Sequence, residues 1–117
     1  MSIQNALASI AVKDLSASKS WYERLLETPA NPAMQEVAEW HFQRGGGLQV
    51  YQLPERAGAC SATLAADDIE KEISKLKRLN ITAQVLPANP RVKVVMIKDP
   101  DGNSIAIAEV IDSSLAH

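Results

Sequence analysis

The sequence predicts an α+β fold made of two tandem βαβββ modules, and three observations lead there. The chain nearly repeats itself: residues 6–25 (ALASIAVKDLSASKSWYERL) overlay residues 60–79 (CSATLAADDIEKEISKLKRL) at a constant offset of 54. Ala8 falls on Ala62, Ala11 on Ala65, Asp14 on Asp68, Arg24 on Arg78 and Leu25 on Leu79. Ser9 with Thr63, Ile10 with Leu64, Leu15 with Ile69 and Tyr22 with Leu76 are conservative matches. A period that long, used only twice, excludes a solenoid and indicates a duplicated module. The second observation is that each copy opens with a β-compatible run followed by a capped helix. The third is that the rest of each copy consists of short apolar runs broken by Gly, Pro, Asn and Asp. Paired modules usually form a groove between them, and a groove is where a small molecule binds.

The first copy is expected to occupy residues 1–55 and the second residues 58–112 of a single domain. In the first, a strand over residues 6–12 leads to a helix over residues 18–26, for which Asp14 or Ser16 can cap the free N–H groups. Pro29 and Pro32 stop that helix. Residues 37–43 read as a strand, Gly45-Gly46-Gly47 as a turn, and residues 48–53 as the returning partner. Residues 54–58 (PERAG) look like a flexible linker. The second copy opens with a strand over residues 61–66. Its helix is the clearest element, with Ile69, Ile73, Leu76 and Leu79 at helical spacing and Glu70, Lys71, Lys75 and Lys77 outside. Asp67 and Asp68 sit where the helix dipole favours carboxylates, and Asn80 can take a left-handed cap. Strands follow over residues 82–86, 92–98 and 105–110, the last two joined by the Asp99-Pro100-Asp101-Gly102-Asn103 turn. The tail over residues 112–117 is expected to fray.

At 117 residues, 46% hydrophobic and 22% charged, the chain has the make-up of a soluble globular domain with a core of its own. A net charge of −2 makes no electrostatic case for nucleic acid or an anionic membrane. Cys60 is the lone cysteine, so no disulfide can form within the chain. No basic start precedes an apolar run, and the expected location is the cytoplasm.

The pattern V-x-D-L-x-x-S-x-x-W-Y-x-x-x-L from Val12 to Leu26 resembles the first module of the vicinal-oxygen-chelate superfamily. That group includes glyoxalase I, bleomycin-resistance proteins and extradiol dioxygenases. The A-D-D-I segment and the closing I-K-D-P-D-G-N-S-I-A-I-A-E from Ile97 to Glu109 resemble its second module, so the likeness spans essentially the whole chain. The resemblance implies mixed sheets that curl to enclose a cleft, with helices on the convex side. It also implies a homodimer, in many members with the cleft at or between subunits. Members usually have Gly after the Leu-Leu pair, where this chain has Glu27. A left-handed cap there costs a non-glycine residue about 1 kcal/mol, so a different exit is expected.

Enzymes of the superfamily commonly hold a divalent metal through one His, Gln or Glu from the first and last strands of each module. By resemblance and the internal repeat those positions are Leu7, Gln49, Ser61 and Ala106. Such metals need three or more His or carboxylate donors with open positions for substrate, and Leu and Ala offer none. No metal and no cofactor are therefore expected. A displaced set of His41, Glu39 and Gln49 is conceivable, because His41 and Glu39 lie two apart on one strand. A hydrogen-bonded structural histidine is the commoner case.

Strand alternation points Ala8, Ile10, Val12, Leu48, Val50, Leu64, Ile105 and Ile107 at the helices. The opposite face carries Leu7, Ser9, Ala11, His41, Gln49, Tyr51, Ser61, Thr63, Val94, Met96, Ala106 and Ala108. From these the expected ligand-binding residues are Leu7, Ser9, His41, Gln49, Tyr51, Ser61, Thr63, Met96, Ala106 and Ala108, a mostly small and apolar lining with a few polar handles. The plain alternative is that small residues let two sheets or two subunits close together. Trp21 or Tyr22 should anchor the first helix, and Trp40 falls on the core side unless a bulge turns it into the cleft. Cys60 has no histidine near it in sequence and reads as inert. The triple glycine lacks the helix a phosphate cradle needs, and Asp99 and Asp101 form a turn too short for an EF-type loop.

Three functions compete. One is a metal-free small-molecule binding protein of the bleomycin-resistance kind, holding an apolar or aromatic ligand. The second is a glyoxalase- or dioxygenase-like metalloenzyme, a lyase, isomerase or oxygenase with an unorthodox metal site. The third is a metal-independent enzyme using His41 or Glu109 as general base. The poor metal donors favour the first, and fold likeness alone selects no ligand.

Overall fold

A computed structural model describes residues 2–34, 36–87 and 89–111. The first module runs β1 (Leu7–Val12), α1 (Leu15–Leu26), β2 (Asn31–Met34), β3 (Val37–His41) and β4 (Gly47–Gln52). The second runs β5 (Ser61–Ala65), α2 (Ile69–Arg78), β6 (Ala83–Val85), β7 (Val92–Lys98) and β8 (Ser104–Val110). Each module forms a four-stranded mixed sheet, in the orders β1-β4-β3-β2 and β5-β8-β7-β6. In both, the first and last strands pair in parallel and the remaining neighbours are antiparallel. The duplicated βαβββ fold is the one the repeat predicts. The tail expected to fray lies outside the described residues.

Local chemistry explains the elements. Asp14, rather than Ser16, caps α1 by accepting from the Ala17 N–H at 3.3 Å, so the helix starts three residues earlier than expected. Asp68 does the same for α2 through the Lys71 N–H at 3.3 Å, and Asn80 takes the left-handed conformation after it. The turn between β3 and β4 needs a bare Gly47: a Cβ there would lie 2.6 Å from the Trp40 carbonyl oxygen and 3.3 Å from Leu7. Helix α1 packs on β3 and β4, and α2 on β7 and β8. Ile10, Val12, Leu48 and Val50 are fully buried with Tyr22 and Leu25, while Ile105, Ile107, Val95 and Ile97 close on Ile69 and Leu76.

Two expectations are corrected. The PERAG segment is not a loose linker: Pro54–Arg56 forms a 3₁₀ turn, and the Gly58 and Cys60 N–H groups both donate to Asn103 Oδ1 at 2.9 Å. A proline at the turn's start and a shared buried acceptor hold it. Helix α1 does exit through the left-handed region, with Glu27 itself at φ 58°.

Candidate functional site

The alternation of Val37-Ala38-Glu39-Trp40-His41 decides which side chains reach the face away from the helices. Trp40 and Ala38 are 1% and 2% exposed, and the Trp40 indole donates to the Thr28 carbonyl at 3.0 Å. With Trp40 fixed in the core, no bulge intervenes, and Glu39 and His41 must project from the opposite face. Strand register then sets their neighbours, because directly opposed residues share a face. Asn31, Glu39, Gln49 and Ser9 form one row across β2, β3, β4 and β1. Val37, Tyr51 and Ala11 form a second, and His41, Gly47 and Leu7 a third.

The first row is stitched together by side chains. Ser9 Oγ donates to Gln49 Oε1 at 3.2 Å, and Gln49 Nε2 donates to Glu39 Oε1 at 3.2 Å. His41 Nε2 lies 3.2 Å from the other Glu39 oxygen. The Glu39 side chain is 21% exposed and that of His41 53%. No Lys or Arg stands on the described strand positions of this face.

Sheet two carries a different surface in the same register. Thr63 opposes Ala106, as Ser9 opposes Gln49, so Ala106 occupies the position equivalent to Gln49. Its rows read Gln84, Met96, Ala106 and Thr63; Val94, Ala108 and Ala65; and Lys98, Ser104 and Ser61. Lys98 Nζ donates to Ser104 Oγ at 2.9 Å.

The expected ligand residues thus divide evenly. Leu7, Ser9, His41, Gln49 and Tyr51 gather on sheet one, and Ser61, Thr63, Met96, Ala106 and Ala108 on sheet two. Ser9, Ser61, Thr63 and His41 are exposed, and Gln49, Tyr51, Met96, Ala106 and Ala108 are half-buried. Strand β1 lies against β5, so the two sheets meet at those edges. Ala11 departs from the expectation: it is fully buried at this junction, with its N–H on Cys60 Sγ at 3.4 Å. Glu109 is removed as a general base, because it projects on the helix side and accepts from the Ile69 N–H at 2.8 Å, capping α2. A hollow of about 620 Å³ opens between Trp21, residues 79–84 and Lys98 and reaches the sheet-two face at Gln84, Met96, Lys98 and Ser104; among the expected ligand residues only Met96 borders it.

Two signals on these faces escaped the sequence reading. Asn31 joins the polar row through its pairing with Glu39, on a strand that the sequence reading did not delimit. Lys98 sits on the sheet-two face by the same parity that places Met96 there.

Neither the family models nor the curated proteins compared with the chain give a match. Solved structures do. A glyoxalase/bleomycin resistance protein from Catenulispora acidiphila DSM 44928 is 30% identical, superposes with a TM-score of 0.83, and is matched over 92% of this chain and 99% of that one. The chain belongs to the glyoxalase/bleomycin resistance protein family. A second such protein, from Streptomyces sp. CB03234, shares the fold at 21% identity and a TM-score of 0.73, over 89% and 98% of the two chains. TnmS3, an antibiotic binding protein from Streptomyces sp. CB03234, does so at 20% identity and a TM-score of 0.78, over 94% and 98%. This places the chain in the vicinal-oxygen-chelate superfamily.

The metal that superfamily enzymes use does not fit the donors present. Leu7 and Ala106 have no ligand atom, Ser61 is a weak neutral donor, and Gln49 is already engaged by Ser9 and Glu39. Among the described residues no three His, Cys, Asp or Glu side chains gather to hold an ion. What the faces carry instead is a hydrogen-bonded polar row on one sheet and, on the other, Val94, Met96 and small alanines beside Thr63, Ser61 and Lys98.

Proposed function

We propose that this glyoxalase/bleomycin resistance family member is a metal-free binding protein of the cytoplasm that holds an apolar or aromatic small molecule against the concave faces, without chemistry. It works as a homodimer, in which a second copy helps close over faces that one chain leaves open to solvent. The observation that carries this reading is the Ser9–Gln49–Glu39–His41 row. Its side chains are tied to one another by hydrogen bonds, which suits orienting a ligand, and it brings only one His and one carboxylate together, fewer than the three such donors a catalytic metal needs. Support also comes from TnmS3, whose description as an antibiotic binding protein shows that this fold can serve binding.

The proximity of His41, Glu39 and Gln49 favours one rival, a metalloenzyme with an unorthodox site. Calorimetric titration of metal-stripped protein with Ni²⁺, Zn²⁺, Mn²⁺ and anaerobic Fe²⁺ separates the two. The expected result is no saturable binding by any of the four. Binding at one site per subunit, weakened by Gln49→Ala or His41→Ala, would overturn the proposal and make glyoxalase- and dioxygenase-type assays the next step.

A further inference from the structure

Resting on the ligand-face reading above, we infer that sheet one selects a cationic or N–H-rich head group, such as a primary ammonium, amidine or guanidinium carried on a flat apolar body. Glu39 is the origin of the selectivity. Its carboxylate is largely withdrawn from water at 21% side-chain exposure, and a partly buried charge acts more strongly than one in bulk solvent. Two neutral amino-acid positions flank it across the sheet, Asn31 on β2 and Gln49 on β4. No Lys or Arg on the described strand positions of this face neutralises it. The nearby turn's Arg44 reaches Asp67 at 3.8 Å, and Lys98 of sheet two is engaged with Ser104.

The carboxylate also has capacity to spare. A carboxylate offers about four lone-pair sites, and here each oxygen has one side-chain contact, from Gln49 Nε2 and His41 Nε2. The open valences of this row are therefore acceptors. An ammonium or amidinium group supplies the donors they lack, whereas a carboxylate ligand would meet a like charge that only His41, when protonated, can offset. The ligand's apolar body then lies over Tyr51, and over Met96, Ala106 and Ala108 contributed by sheet two.

The test uses the full chain and three matched probes, 2-naphthylmethylamine, 2-naphthylmethanol and 2-naphthylacetate, titrated near neutral pH at low salt. The amine should bind at least about tenfold more tightly than the carboxylate, with the alcohol between them. Glu39→Gln should bring the amine and the carboxylate within about threefold of each other, in a variant whose thermal midpoint shows it folded. Equal affinities in the native chain, or an amine preference that survives Glu39→Gln, would overturn the inference. Binding of the alcohol without an amine preference removes only the charge assignment. Failure of all three probes removes the ligand face itself, and the inference with it.

Discussion

Tyr22 shows how a single hydroxyl ties the two modules together. Its O–H donates to Asp99 Oδ2 at 2.7 Å, from a ring that is fully buried. Asp99, itself only 4% exposed, also accepts from Asn103 Nδ2 at 2.8 Å and from the Asn103 and Asp101 N–H groups at 2.9 and 3.0 Å. Asn103 Nδ2 in turn donates to the Ala11 carbonyl at 2.8 Å. A carboxylate that has lost its water is thus satisfied by four donors, and Tyr22→Phe should cost about 1–3 kcal/mol in denaturant unfolding. Burial, together with the hydrogen bond and charge of Asp99, pushes the Tyr22 hydroxyl well above the ordinary phenol range. The native state therefore keeps a proton that the unfolded state releases above its ordinary value of about 10, so stability falls as pH rises beyond that point. Tyr22→Phe should flatten this alkaline limb, and an equally steep limb in the variant would exclude Tyr22 as its source. The sequence marks Asp99 only as a turn former, because its partner lies 77 residues away. The Glu39–His41 contact was legible, since parity over two residues is local.

At the scale of elements, the end of α1 is where the sequence misleads. Without glycine a left-handed exit costs about 1 kcal/mol, yet Glu27 adopts it. There its carboxylate meets Lys75 Nζ at 3.2 Å, and Lys75 is otherwise paired with Glu72 at 2.6 Å. Helical periodicity assigns Lys75 to the outer face of α2, but the residue is only 6% exposed, buried with its charge paired. The apolar stripe of α2 is visible in the sequence; the covering of its flank by the first module is not. Removing Glu72 leaves the buried ammonium to the more exposed Glu27 alone, whereas removing the ammonium leaves only the two better-solvated carboxylates. Glu72→Ala should therefore cost about 1–2 kcal/mol, and Lys75→Met should cost less although it deletes both ion pairs. Chemical denaturation of the two variants checks this order, and a larger loss for Lys75→Met would refute it.

At the scale of the whole molecule, duplication made most of the fold readable. One register recurs in both modules, so the Ser9–Gln49 pairing on one sheet is matched by Thr63–Ala106 on the other. The composition of each face followed from alternation, including the polar character of sheet one and the small residues of sheet two. Sequence alone could not reveal that the polar side chains form one connected row, or that the faces of a single chain remain open. Both depend on how strands from distant segments meet. On the proposed function, a second copy closes the cleft, with polar residues orienting the ligand and small ones receiving its body. The most direct measurement is an amide NMR titration of metal-stripped protein with 2-naphthylmethanol, with translational diffusion recorded on the same sample. The predicted result is saturable shifts at Ser9, Gln49, Tyr51, Thr63, Ala106 and Ala108, in a species diffusing as a dimer. Shifts confined to Trp21 and residues 79–83, at the outer side of the hollow, would contradict a ligand site on the concave faces.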